Sequence, residues 1–240
     1  MHHLEIRHIH LAEATSTNTY ARELALGNEL LLVTADHQTA GRGQRGNTWE
    51  SAPGQNLLFT LALRPQGLPA SHQFILCEYI SVVLCQVLSQ YANDIHIKWP
   101  NDIYYRDHKL CGILIEHDLE GSQLSRTLIG IGLNVNQTEF VSDAPNPISL
   151  RQILGHEIDR TELLTAICQA FTHPTTLDAT TLHTRYTALL YRLGMNATYR
   201  DASGTFTATL HHVEPDGRLI LIDEQGTPRS YLFKEVAYVI

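Results

Sequence analysis

The chain has 240 residues, a formal net charge of −8, 43% hydrophobic residues and 18% charged residues. That length holds one large domain, or a catalytic domain with a small appendage, and carries enough apolar material for a core. The acidic balance argues against a phosphate backbone as the main partner, so no nucleic acid is expected, but it leaves room for a local basic pocket that takes a small anion.

Residues 4–10 alternate as a strand. Leu4, Ile6, Ile9 and Leu11 roughly interleave with His2, His3, His8 and His10. That reads as an exposed strand face and not as a metal site, which needs converging ligands and partners behind them. Thr15-Ser16-Thr17-Asn18 precedes a short helical run from Tyr20 to Leu26, with Gly27 behind it. Small hydroxyl residues before and glycine after mark the two ends of a helix. Residues 30–35 read as a buried strand, and residues 56–63 as the next one. Between them lies Gly41-Arg42-Gly43-Gln44-Arg45-Gly46.

Ser71 is placed to cap a long helix over 74–91. Apolar residues appear nearly all round that helix, so it belongs inside the protein. Strands over 95–99, 103–105, 110–116 and 124–135 follow, separated by polar turns, as in an antiparallel meander. Helices are expected at about 160–171 and 178–193, the second stopped by Gly194. From 197 to 240 the helical period disappears and short strands alternate with Gly-containing turns, which suggests a small SH3-like barrel. The expected division is 1–194 for a catalytic domain and 195–240 for the appended one.

Cys77, Cys85, Cys111 and Cys168 form no C-x-x-C and each sits in an apolar run, as buried free thiols of a reducing cytoplasm do. No apolar run approaches the ~20 residues of a membrane span. No charged start followed by a long apolar stretch marks a signal peptide. The expectation is a cytoplasmic protein with no membrane partner.

The hexapeptide at 41–46 fits the G-x-G-x-x-G pattern of a dinucleotide turn. That turn needs a helix behind it to hold a pyrophosphate. Here Asn47, Ser51, Pro53 and Gly54 follow, and then a strand, so the dinucleotide reading fails. No Gly-Lys-Ser/Thr follows either, which excludes a P-loop. The glycines let the backbone approach a ligand and offer N–H groups to an anion. Arg42 and Arg45 suit a carboxylate or phosphate held in one orientation. A flexible hairpin with solvated arginines is the plainer alternative. A second basic feature stands at Ile97-Lys98-Trp99-Pro100-Asn101-Asp102 with Lys109 opening the next strand. It reads either as a surface turn with extended lysine stems or as a phosphate and nucleotide site beside the glycine loop.

Four segments in order then resemble the biotin protein ligases: "STNTYA" at 16–21, "HQTAGRGQRGNTW" at 37–49, "IKWPNDIYYRDHKLCGILIE" at 97–116 and "IGIGLNVN" at 129–136. The C-terminal stretch is similar in length and glycine spacing to that family's SH3-like domain. The resemblance implies an α+β fold of the class II synthetase-like kind: a mixed, largely antiparallel sheet with helices packed on it, plus the small barrel. It implies biotin and MgATP as substrates, with biotinoyl-AMP and pyrophosphate as first products. Transfer to a lysine of a biotin carboxyl carrier domain follows.

By resemblance, Ser16, Thr17 and Gln38 bond biotin's ureido ring, with Asn18 in the same motif. Gly41, Arg42, Gly43 and Gln44 form a closing loop, with Arg42 near the carboxylate and phosphate. Lys109 is the catalytic ammonium that bridges them. Arg45, Trp49, Lys98, Asn101, Asp102 and Asn134 fall on the nucleotide side, with Asp102 a candidate Mg2+ ligand. Many relatives carry arginine where this chain has Gln44, so adenylate retention is expected to rest more on Arg42, Arg45 and Lys109. The catalytic motifs begin at Ser16, so neither an N-terminal DNA-binding domain nor a repressor role is expected. A lipoate or octanoate ligase is the near rival, but its R-x-S-G-G-G-A-type loop is not found. A non-catalytic binder is the far rival, and it would be expected to lose Lys109 or the arginines. Monomer and homodimer both stay open.

Overall fold

The computed structural model describes residues 5–142, 146–172 and 178–240, with the Arg45 side chain outside it. His2 and His3, and so half of the N-terminal histidine cluster, lie outside the described residues. His8 and His10 both meet the Thr34 hydroxyl, at 2.9 and 3.1 Å. No group of three or more metal-ligating side chains occurs among the described residues.

The larger sheet has seven strands: β1 (Ile6–Ala14), β2 (Leu30–Gln38), β3 (Leu57–Leu63), β4 (Ile95–Lys98), β5 (Asp102–Tyr105), β6 (His108–Glu120) and β7 (Gln123–Leu133). Their spatial order is β1-β2-β3-β7-β6-β5-β4. β1 and β2 run parallel. Every other neighbouring pair is antiparallel, so the meander expected from 95 to 135 is present. β2 is buried from Leu30 to Ala35 and β3 from Leu57 to Ala62.

Three predicted helices shift at their ends. α1 (Thr17–Glu23) starts before Tyr20 because the Gln38 side chain accepts from the Thr17 N–H at 2.7 Å, and Ser16 becomes the N-cap. Thr17 and Asn18 thus sit inside the first turn. Gln73 occupies the N-cap position of α2 (Phe74–Leu88) without a side-chain bond, and Ser71 belongs to a preceding 3-10 turn. Together, residues 70–88 form a 19-residue helical stretch with mean hydropathy 1.3, long and apolar enough to cross a membrane. This corrects the expectation that no run approaches that length. In this fold Ile80, Leu84, Cys85 and Leu88 of that stretch are fully buried in the core.

α3 (Leu150–Leu154) was not foreseen, although Ser149 and Gln152 form a capping box legible in the sequence. α4 (Arg160–Thr172) matches its expectation. α5 (Ala179–Ala188) stops five residues short of 193. The cause is β4: Ile97 N–H donates to the Leu189 carbonyl and Tyr191 N–H to the Ile97 carbonyl, both at 2.8 Å, so the sheet edge claims the chain that would extend the helix.

After Gly194 only strands follow: β8 (Asn196–Asp201), β9 (Gly204–Val213), β10 (Leu219–Asp223), β11 (Pro228–Tyr231) and β12 (Ala237–Tyr238). They form a five-stranded antiparallel sheet in the order β11-β10-β9-β8-β12, compatible with an SH3-like barrel whose ladder does not close. Tyr199, Leu210, Leu219 and Tyr231 join one hydrophobic core with Phe59, Leu84 and Ile131 of the larger sheet and its helix. The sheets are also tied at Trp99, whose indole N–H donates to the Gly217 carbonyl at 2.9 Å and whose ring meets Phe233 edge-on at 5.7 Å. The four cysteines are buried free thiols. Burial pushes the Cys85 and Cys168 thiols up to about 12 and about 11, so they are inert packing groups.

Candidate active site

A cavity of about 920 Å³ opens over β6 and β7, beneath the 41–49 loop and beside the C-terminal sheet. Its floor is made by the absence of side chains. Gly112 and Gly132 are direct partners across the β6–β7 ladder, and Gly130 lies opposite Leu114. A Cβ on Gly112 or Gly132 would stand 2.6 or 2.4 Å from the Trp49 ring; one on Gly130 would stand 2.4 Å from Asn18 Oδ1. Glycine within a strand marks such close approach, and the G-x-G of residues 130–132 was the sequence signal for it.

At one end the polar groups are linked in a chain. Gln38 Oε1 accepts from the Thr17 N–H and Oγ1, at 2.7 and 3.1 Å. Thr60 Oγ1 stands 2.8 Å from Thr17 Oγ1 and 2.6 Å from Asn18 Oδ1. Asn18 Nδ2 donates to Glu116 Oε2 at 2.8 Å. Ser16, Thr17 and Asn18 are all buried. Ser16, Thr17 and Gln38, assigned to the ureido ring, and Asn18 of the same motif are therefore brought together at the cavity wall.

At the other end Lys109 Nζ lies 2.6 Å from Asp102 Oδ2, both about a quarter exposed. A β-bulge aims that lysine. Tyr104 pairs with Lys109 and Ile103 with Cys111, which leaves Leu110 as the extra residue. The Lys109 backbone is gripped from the other side: its N–H donates to the Asn146 carbonyl at 2.8 Å, and its carbonyl accepts from the Ile148 N–H at 3.0 Å. Asn134 is not in the cavity lining. Its amide donates to the carbonyls of Ile148 and Lys109, at 3.1 and 3.5 Å, so it braces the segment that carries Lys109.

Lys98 faces the same end, donating to Tyr104 Oη at 3.0 Å over the Tyr104 ring. Burial lowers its ammonium from 10.5 to about 8; the charges of Lys109 and Arg192 add to that and Asp102 opposes it. Asn101 is buried and accepts from Gln44 Nε2 at 3.2 Å. Asp102 is the one carboxylate among the described lining residues. One carboxylate is a normal protein contribution to Mg2+, which keeps waters and takes its other ligands from substrate phosphates.

The glycine loop differs from its expectation in one respect. Gly43, Gln44 and Trp49 line the cavity with Arg42, and no helix follows Gly46, only a 3-10 turn over Gln44–Gly46. Gly41 lies behind the lining, its would-be Cβ 2.7 Å from the Trp49 carbonyl. Arg42, expected beside the carboxylate and phosphate, lines the cavity and is paired with Glu116 at 3.2 Å. The Arg45 assignment lies outside the described residues. Trp49 rests on Gly112 and Gly132 with Lys109 Nζ 5.7 Å from its ring centre, and its indole N–H is buried with no partner among the described residues.

Sequence reasoning missed Glu116, although it ends the third motif, and it missed a whole wall. Phe233, Lys234, Val236, Ala237 and Tyr238 close the cavity from the C-terminal sheet. Only the packing of the two sheets brings them there, and no local pattern announces it.

Comparison with known proteins agrees with this architecture. The Biotin/lipoate A/B protein ligase family matches residues 11–134. The bifunctional ligase/repressor BirA of Bacillus subtilis is 34% identical over 230 residues, covering 90% of this chain and 70% of that protein. The biotin--[acetyl-CoA-carboxylase] ligase of Paracoccus denitrificans is 34% identical over 168 residues, covering 67% and 70%. A biotin protein ligase from Aquifex aeolicus, solved in complex with biotin and ATP, superposes with a TM-score of 0.77 at 25% identity, covering 96% of this chain and 97% of that one. Fold and cavity together define a ligase. The chain belongs to the biotin/lipoate A/B protein ligase family.

Proposed function

We propose that the protein activates biotin with ATP and transfers it to a lysine of a biotin carboxyl carrier domain. The observation that carries this reading is the two-ended cavity: a neutral hydrogen-bonding set at Thr17, Asn18 and Gln38, and a paired ammonium at Lys109. A ligand with a polar ring and an acidic tail fits such a cavity in one direction only. The matched biotin ligase of Paracoccus denitrificans and the Aquifex aeolicus structure with biotin and ATP support biotin over lipoate, and the name of the first supports a carboxylase subunit as acceptor. The net charge of −8 favours a role without nucleic acid.

In the first step a biotin carboxylate oxygen attacks the α-phosphorus of ATP, the bond to the β-phosphate oxygen breaks, and pyrophosphate leaves. Two anions must meet, so fixed positive charge lowers the barrier. Lys109 supplies it at the meeting point and Lys98 on the nucleotide side. Asp102 holds Lys109 in place and would share Mg2+ with the phosphates, which screens their charge. In the second step a neutral carrier lysine attacks the acyl carbon, AMP leaves, and the amine loses a proton. Trp49 and the loop around it exclude water from the anhydride meanwhile.

Pyrophosphate exchange into ATP, measured with biotin, lipoate or octanoate as the acid, tests this reading. Exchange is expected with biotin alone and is expected to fall at least about 100-fold in Lys109→Ala. Exchange driven by lipoate or octanoate, or an unchanged rate in that variant, overturns it.

A further inference from the structure

We propose that Glu116 is a positioning residue that competes with the substrate's carboxylate for the Arg42 guanidinium. The inference rests on the biotin reading above and goes beyond it. Arg42 stands between two glycines, is 46% exposed, and has Glu116 as its one charge partner among the described residues, 3.2 Å away. Glu116 lies seven positions after Lys109 along β6, so Arg42 and Lys109 are anchored well apart on that strand. The same Glu116 oxygen that meets Arg42 also accepts from Asn18 Nδ2 at 2.8 Å. The carboxylate therefore binds the loop to the ring-recognition chain of Asn18, Thr60, Thr17 and Gln38.

In this arrangement the loop lies down on the floor. Trp49 fills the room over Gly112 and Gly132, on the line between the ring end and Lys109. A ligand that spans both ends must lift Trp49, but only one with a carboxylate offers Arg42 a second anion; an uncharged ligand leaves the Arg42–Glu116 pair in place. With the charged ligand the guanidinium leaves one carboxylate for another. Arg22 does not take its place in that balance. It lies 3.8 Å from Glu116 but 2.5 Å from Asp118, which keeps it when Glu116 loses its charge.

Glu116→Gln separates the two functions of the residue, because an amide oxygen still accepts from Asn18 while the charge is gone. Calorimetric binding of biotin and of biotinol, its uncharged alcohol, to the full chain reads the competition. Glu116→Gln is expected to bind biotin about two- to fivefold tighter, the range of a partly exposed ion pair, with biotinol unchanged. In an Arg42→Ala background the same substitution is expected to change neither. An equal change for both ligands, no change for biotin, or a gain that survives in Arg42→Ala overturns the proposal and leaves the biotin reading standing. A wild-type chain that binds neither ligand overturns both.

Discussion

The floor and the cover of the cavity are built on different principles. The floor is strand-borne. Gly130 and Gly132 are fixed by ladders to neighbours on both sides, Gly112 is paired to Gly132, and Lys109 is aimed by a bulge and a gripped backbone. The cover at 41–49 has few backbone ties: Trp49 N–H to the Gly41 carbonyl, Gly43 N–H to the Asn47 carbonyl and Asn47 N–H to the Gln44 carbonyl. Its remaining anchors are side chains, Arg42 on Glu116 and Gln44 on Asn101 and the Ile113 carbonyl. A reaction with a water-sensitive intermediate needs both properties, because the reacting groups must not move and the lid must.

That contrast is breakable by substitution. Adding one methyl to the floor is expected to cost the most. Gly132→Ala puts a Cβ where Trp49 and the ligand both pass, so biotin binding should weaken about 10- to 100-fold. The same methyl on the cover, Gly43→Ala, meets only Asn47 at 3.2 Å and should change binding less than about threefold. Calorimetry on both variants decides, and equal losses would erase the distinction.

A smaller effect is expected where the floor is braced from behind. Asn134→Ala removes two bonds from the carbonyls around Lys109. The rate of adenylate formation should drop about tenfold with the biotin KM unchanged, since the ring end is untouched.

Lys98 sharpens the comparison through pH. Its folded value of about 8 lies below the 10.5 of the free group, so the native state binds fewer protons than the unfolded one between those limits. Its contribution to stability therefore rises with pH from 8 to 10.5, while its charge toward a nucleotide fades over the same window. The ATP KM should climb above pH 8 in the wild type and stay flat in Lys98→Met. The smallest effect is expected on the cover. Gln44→Arg adds a charge to the loop and should slow adenylate release about two- to fivefold; equal release rates would remove Gln44 from the account of retention.

What was legible in the sequence follows the same division. The meander was readable because each strand is a local apolar run closed by a polar turn. The glycine loop was separable from a dinucleotide turn because a helix is a local requirement that Asn47, Pro53 and Gly54 fail. The wall at Phe233 and Tyr238 was not readable, since it stands about a hundred positions from the glycine floor and arrives by sheet packing. The destination of Arg42 was not readable either. Motif spacing places an arginine on a loop, but only the fold says which of several anions it meets.

The early end of α5 has a consequence for the whole molecule. An outer strand with free N–H and C=O groups is a template on which further chains can add and aggregate. At Ile97 both groups are already engaged by Leu189 and Tyr191, at 2.8 Å each. The unwound tail of a helix thus acts as a plug against edge-to-edge polymerisation. A substitution that let α5 continue to Gly194 would lengthen a helix and, by the same act, bare a sticky margin of the sheet.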